Sequence, residues 1–327
     1  MSRAPLAIAG AIVLAVSAAA FAVEDDHAGC RAIKDDKARL ACFDDLRPAK
    51  AGVSGSYLER AWRLGAEDSR IGIDNVQPYR PIYIVLGKHT DNVNTQPSSP
   101  APDHTVPAPI PWSAEELMFQ LSFKSELMSR QDFGRRILGL ENVRLWFAYT
   151  QLSFWQVYNA QLSRPFRDTD YEPEAIFTFG TGNDADGWKL LNVGVVHQSN
   201  GRALPQSRGW NRLYAQGGWE WGRFSLLARA WWRFPEKAEK DDNPDIQSYL
   251  GRGDIELRWN MENDKSVSLL ARRALDTGRG FIEAAWTSRK LVGPARVYVQ
   301  ATSGYGESLI DYNFRQNTIG VGFAYSD

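Results

Sequence analysis

From about residue 80 to its end the chain alternates apolar and polar residues in short runs separated by turn residues. A period of two is the signature of strands, because successive side chains point to opposite faces. In the run 223–234, Phe224, Leu226, Ala228, Ala230, Trp232 and Phe234 share one face. Ser225, Arg229, Trp231 and Arg233 take the other. In 249–260, Ile255, Leu257 and Trp259 oppose Asp254, Glu256 and Arg258. In 317–325, Ile319, Val321, Phe323 and Tyr325 oppose Thr318 and the glycines. The pattern predicts twelve strands, over 82–86, 117–127, 143–158, 174–181, 188–199, 211–219, 223–234, 249–260, 266–273, 280–287, 295–303 and 317–325.

The connections alternate in length. Those at 87–116, 159–173, 200–210, 235–248 and 304–316 are long, and most of the others are short. Long outer loops, short periplasmic turns and an even strand number describe an all-β, 12-stranded antiparallel transmembrane barrel. The stretch Pro97–Pro111 holds six prolines, so it reads as an extended outer loop without helix or strand.

The N-terminus sharpens this. Arg3, the apolar stretch from Pro5 to Ala20 and the small-x-small site Ala20-Phe21-Ala22 form a secretory signal over 1–22. The chain is exported, and 80–327 is expected to reside in the bacterial outer membrane as the barrel. Residues 23–79 are expected to form a small N-terminal periplasmic extension, partly helical around Asp35–Phe43. Cys30 and Cys42 are twelve apart, about 18 Å on a straight helix, so a disulfide there requires a bend.

Composition excludes other classes. Aromatics reach 12% with 12 Trp, yet mean hydropathy is -0.39, which is not a bundle of membrane helices. A net charge of -1 offers no basic excess to neutralise phosphates, so no nucleic-acid partner is expected. A soluble β-sandwich shows the same alternation with its faces inverted. Export, length, aromatic richness and the strand number favour the barrel.

Candidate chemistry gathers at one strand end. Of four histidines only His197 is borne on a strand, in Val195-Val196-His197-Gln198-Ser199-Asn200-Gly201. By parity His197 and Ser199 continue the lipid-facing row of Leu191, Val193 and Val195. Two residues apart on one face, their Cα atoms are about 6.5–7 Å apart, close enough for the side chains to meet. Asn211 shares the outward parity of Leu213, Ala215 and Trp219, and a hairpin through 200–210 sets it across from His197. Ser199 then suits a nucleophile, His197 its general base, and Asn211 the residue that orients the imidazole. An aspartate at 211 would accept the same hydrogen bond and is expected to be tolerated.

Several stretches carry a resemblance. They are Tyr149-Thr-Gln151, Pro165-Phe-Arg167, Tyr171-Glu-Pro173, His197-Gln-Ser199-Asn-Gly-Arg202, Ser207-Arg-Gly-Trp-Asn211-Arg-Leu-Tyr214, Asp241-Asp-Asn-Pro-Asp245 and Ser303-Gly-Tyr-Gly-Glu-Ser-Leu-Ile-Asp-Tyr-Asn313. Over roughly 117–327 the chain resembles the outer membrane phospholipases A of Gram-negative bacteria. The resemblance implies a calcium-dependent phospholipase, active as a homodimer. It would cleave acyl esters of phospholipids at the A1 and A2 positions, and of lysophospholipids, from the outer leaflet. It implies His197, Ser199 and Asn211 as catalytic residues and the Gly201 amide in the oxyanion hole. Calcium would be held by Ser163 of one subunit and by Arg202 and Ser207 of the other, with Asp242 a further candidate. Gln151 matches a glutamine that bonds across the dimer within the membrane. Leu204 stands where the family carries an aspartate that helps the monomer bind calcium. The alternatives are a passive outer-membrane pore and a structural barrel without hydrolase activity.

Overall fold

The structure, a computed structural model, describes residues 33–37, 39, 56–65, 71–72, 75–130, 140, 142–183 and 185–325. The signal segment 1–22 and both cysteines lie outside them.

Twelve strands form one closed ring. They are β1 (Ile82–Thr90), β2 (Glu115–Arg130), β3 (Asn142–Trp155), β4 (Phe166–Gly180), β5 (Gly187–Ser199), β6 (Gly209–Trp221), β7 (Phe224–Arg233), β8 (Gly253–Asn260), β9 (Ser266–Arg273), β10 (Gly280–Val292), β11 (Ala295–Tyr305) and β12 (Arg315–Tyr325). Each pairs antiparallel with the next, and β12 closes on β1 through pairs such as Ile319↔His89 and Phe323↔Ile84. Closure leaves no unpaired edge, which is what a strand protein needs where no water can satisfy its backbone. Among the described residues no helix is long and apolar enough to cross a membrane.

The faces fall as the alternation predicts. Leu213, Phe224, Trp232, Ile255, Leu257, Ile319, Val321 and Phe323 are exposed on the outside, while Ser225, Trp231, Asp254 and Thr318 are buried within. Aromatics ring both rims. Near the short turns, Phe224 stacks on Trp259 at 5.7 Å. Near the long loops, Trp155 stacks on Phe166 at 5.3 Å and Trp232 meets Phe234 edge-on at 5.0 Å. Such girdles mark the levels of the two membrane interfaces.

β1 runs to Thr90 and not 86, so His89 is borne on a strand as well as His197, and β10 runs to Val292 and not 287. Two further elements differ more widely. β4 starts at Phe166, eight residues before the predicted 174. Charges made this stretch look like loop, but Asp168, Asp170, Glu172 and Glu174 alternate with Thr169, Tyr171 and Pro173 and turn into the lumen. There Asp168 and Asp170 accept the backbone N–H groups of Ile310 (2.9 Å) and Leu309 (3.0 Å), drawing an outer loop into the barrel mouth. At the other site, residues 249–250 belong to a short helix, α2 (Gln247–Leu250), and not to β8. Gly251 ends it at φ 73, where a Cβ would lie 2.3 Å from the Arg273 carbonyl oxygen. The proline stretch has neither helix nor strand, as expected.

Ion pairs cross the lumen. Lys88–Glu116 (3.0 Å), Arg167–Glu116 (2.9 Å), Arg144–Glu126 (2.7 Å) and Arg80–Glu174 (2.9 Å) link the walls. At the end with the short turns sits a helix preceding the barrel, α1 (Tyr57–Trp62), started by a capping box between Ser56 and Glu59. Leu58 and Trp62 are buried, and Trp62 packs edge-on against Trp146 at 6.3 Å. Glu220 accepts the Leu58 N–H at 2.8 Å, and Lys189 pairs with Glu59 at 2.7 Å. Cavities of about 150 Å³ and 570 Å³ remain among the described residues. A barrel of this size can be packed shut by its side chains. Purified protein in planar bilayers is therefore expected to give no steady open-channel current; ohmic steps would restore the pore reading.

Candidate active site

The site depends on one hairpin register. Inside the barrel, Gln198 accepts hydrogen bonds from Trp210 Nε1 (2.8 Å) and Arg212 (2.9 Å) and donates to Glu172 (2.8 Å). These contacts pin β5 against β6, and a slip of one residue would turn every side chain to the wrong face. On the outer face the same register sets His197 opposite Asn211 and Ser199 opposite Gly209. A Cβ at Gly209 would lie 3.4 Å from that of Ser199, so glycine leaves the space beside the serine open.

The three polar side chains meet. His197 Nε2 lies 3.0 Å from Ser199 Oγ, and His197 Nδ1 lies 2.8 Å from Asn211 Oδ1. The amide oxygen can only accept, so Nδ1 carries the proton. Nε2 then presents a lone pair to the serine hydroxyl, as a general base must. Their level is that of the outer aromatic girdle, since the Phe234 N–H donates to the Asn211 carbonyl at 2.9 Å. On its far side, Asn211 Nδ2 donates to Glu236 Oε1 at 3.0 Å.

The turn after Ser199 is built around buried Asn200. Its side-chain oxygen accepts from the Arg208 N–H (2.9 Å) and the Arg202 N–H (3.3 Å), and its amide donates to the Gln206 carbonyl (2.9 Å) and Asp168 (3.2 Å). Gly201 has φ 60, a left-handed conformation natural to glycine. A Cβ there would come within 3.2 Å of the Tyr171 ring. Tyr171 pairs with Ser199 across the strands and so stands beside the serine on that side.

The remaining expected residues divide into two groups. Ser207 Oγ donates to Asp242 Oδ2 at 2.6 Å, and His104 Nε2 lies 3.0 Å from the other carboxylate oxygen. Arg202 donates to the carbonyls of Phe166 (2.5 Å) and Arg167 (2.7 Å), tying its turn to the start of β4. Ser163 is exposed, at φ 59 beyond the short 3-10 helix Ala160–Leu162, and no described hydrogen bond joins it to the Ser207–Asp242 pair. Among the described residues there is no group of three or more His, Cys, Asp or Glu placed to hold a metal. A hydroxyl, a backbone carbonyl and one carboxylate are nevertheless hard oxygen donors of the kind calcium takes. Gln151, facing outward on β3, accepts from Tyr149 OH and donates to Ser153 Oγ, both at 3.1 Å.

Four residues escaped the sequence. Asn200 adjoins the motif and Tyr171 opens one of the resembling stretches, so both could have been suspected. His104 reaches Asp242 across 138 residues and Glu236 reaches Asn211 across 25, both from loops without periodicity.

Known proteins resemble this chain in sequence and fold. The family model for phospholipase A1 matches residues 58–325. Phospholipase A1 of Escherichia coli strain K12 is 40% identical over 215 residues, 65% of this chain and 70% of that protein. The outer membrane phospholipase A structure from Escherichia coli superposes with a TM-score of 0.65 at 33% identity, covering 79% of this chain and 95% of that one. The same figures hold for a calcium-bound dimer of the Salmonella typhi outer membrane phospholipase. An Escherichia coli form with an asparagine changed to alanine is described as an active-site mutant. The chain belongs to the phospholipase A1 family, and its barrel is one of the bacterial outer membrane.

Proposed function

We propose that this protein is a calcium-dependent phospholipase that hydrolyses acyl esters at both glycerol positions, and those of lysophospholipids, from the outer leaflet. The observation that carries it is the chain Ser199–His197–Asn211 on the outer wall at the level of the lipid head groups. A polar triad is costly on a surface otherwise clothed in Leu, Phe and Trp, and such groups persist there for function. The asparagine of the Escherichia coli active-site mutant supports the role given to Asn211.

The chemistry follows from the atoms. Ser199 Oγ attacks the ester carbonyl while His197 Nε2 takes its proton. The Asn200 N–H is already given to the Arg208 carbonyl at 3.0 Å, so the Gly201 N–H is the next along the chain for the developing oxyanion. Collapse expels the lyso-lipid alkoxide, which takes the proton from His197 and leaves an acyl ester on Ser199. Water, deprotonated by His197, then releases the fatty acid and restores the serine.

Ser207, Asp242 and the Arg202 carbonyl of one subunit, with Ser163 of the other, would hold calcium. The ion would supply positive charge beside the oxyanion and join the subunits of a homodimer. The calcium-bound Salmonella typhi dimer supports this, and Gln151 is the proposed membrane-level contact between copies. We also propose that 1–22 is the cleaved signal, that 23–79 is periplasmic and that its helix α1 closes the barrel end.

The test is fatty-acid release from phospholipid mixed micelles carrying distinguishable chains at the two positions. Release of both chains, and of the single chain of a lysophospholipid, is expected. Release from one position alone would remove the dual specificity. If Asn211 only orients the base, Asn211→Ala retains partial activity and loses less than His197→Ala. Equal losses would give Asn211 more than an orienting role.

A further inference from the structure

We infer that Glu236 is a positioning residue for this site, acting through Asn211 to fix the amide and to supply the negative charge that a Ser-His-Asn set lacks. The inference rests on the reading of that set as catalytic.

Hydrogen bonds run unbroken from Ser199 Oγ to His197 (3.0 Å), to Asn211 Oδ1 (2.8 Å), and from Asn211 Nδ2 to Glu236 Oε1 (3.0 Å). An amide has one accepting and one donating end. An ionised Glu236 can only accept, so it selects the orientation with Nδ2 toward itself and Oδ1 toward the histidine. That choice keeps the proton on His197 Nδ1 and the lone pair on Nε2. Without it, a flipped amide would present N–H to Nδ1 and favour the wrong tautomer.

Charge is the second part. When His197 takes the serine proton it becomes an imidazolium, which a neutral amide does not balance. Glu236 places a carboxylate behind that amide and polarises it toward the ring, since hydrogen bonds in a chain reinforce one another. The division of labour suits the surroundings. Asn211 is half-buried on the lipid-facing wall, where a carboxylate would be expensive. Glu236 belongs to the outer loop that follows β7, so the charge stands toward the water. Its position is set by the chain. Phe234 is anchored by its N–H on the Asn211 carbonyl, and Pro235 restricts the backbone before Glu236.

This changes the expectation for an aspartate at 211. Asn211→Asp would set two carboxylates against each other, a destabilising like-charge pair. Removing the Glu236 charge should then help the variant it harms in the native protein.

The experiment measures kcat and KM for mixed-micelle hydrolysis with calcium, on native protein, Glu236→Gln, Asn211→Asp and the double variant. Each is first shown to be a folded barrel by its heat-modifiable migration in detergent gels. Glu236→Gln is expected to lower kcat about fivefold with KM little changed, as loss of one charge-assisted bond would. Asn211→Asp is expected to lose about tenfold, and adding Glu236→Gln to recover most of that loss. A merely structural glutamate would give losses that accumulate. Glu236→Gln within twofold of native, or a double variant no more active than Asn211→Asp alone, would overturn the inference. Ser199→Ala is measured alongside: if it remains active the catalytic reading itself has failed, whereas if it is inactive and Glu236→Gln is silent only the role of Glu236 has.

Discussion

Replacing Ser199 with alanine is expected to lower ester hydrolysis by at least about a thousandfold, because nucleophile and base act as a unit and losing either removes the covalent route. The substitution should not disturb the barrel. Ser199 closes β5 on the outer face, and the contacts that hold the hairpin there belong to Gln198, Trp210 and Arg212 within. His197→Ala should fall to a similar floor, and the double variant should fall little further. A loss below tenfold with the barrel intact would remove Ser199 from the mechanism.

Calcium removal has the other large effect expected. If the ion is held between subunits, with Ser207, Asp242 and the Arg202 carbonyl facing the partner's Ser163, then calcium binding and dimerisation each strengthen the other by the same factor. Chelation should both dissociate the dimer and abolish activity. Leu204 is exposed and apolar; if it stands in place of an acidic residue, as the resemblance implies, the isolated monomer should bind calcium poorly. Asp242→Asn removes the one carboxylate in contact with Ser207 and should weaken calcium affinity and dimerisation together. Cross-linking across a calcium titration, with activity read on the same samples, checks this. Full activity in a monomeric, calcium-free sample would refute the coupling and leave the Ser199–His197 pair standing.

The sequence alone exposed the barrel because alternation is a local property. Where lipid lies on one side and the lumen on the other, each run of Leu, Phe and Trp against Arg, Asp and Ser declares its faces. The same logic made His197, Ser199 and Asn211 legible, since parity puts all three outward and a hairpin puts two of them opposite. The start of β4 was hidden because its inward face carries four carboxylates in alternation, Asp168, Asp170, Glu172 and Glu174, which look like a solvated loop until Arg80 and the 306–311 turn are seen to meet them. His104 and Glu236 could not be placed by pattern. Their positions depend on how long loops fold over the rim, and loops carry no period. The helix 57–62 shows a capping box in sequence, but its burial against Trp146 follows from lumen shape, which strand parity does not encode.

The central claim is that an acyl group passes through Ser199 on the outer wall of the barrel. The most direct measurement is acid quenching of calcium-activated protein during turnover of a phospholipid, followed by mass analysis of the peptide bearing His197 and Ser199. The account predicts a peptide heavier by one acyl group, with the added mass on Ser199 and absent from Ser199→Ala. An acyl group on another residue, or active turnover by Ser199→Ala, would contradict it.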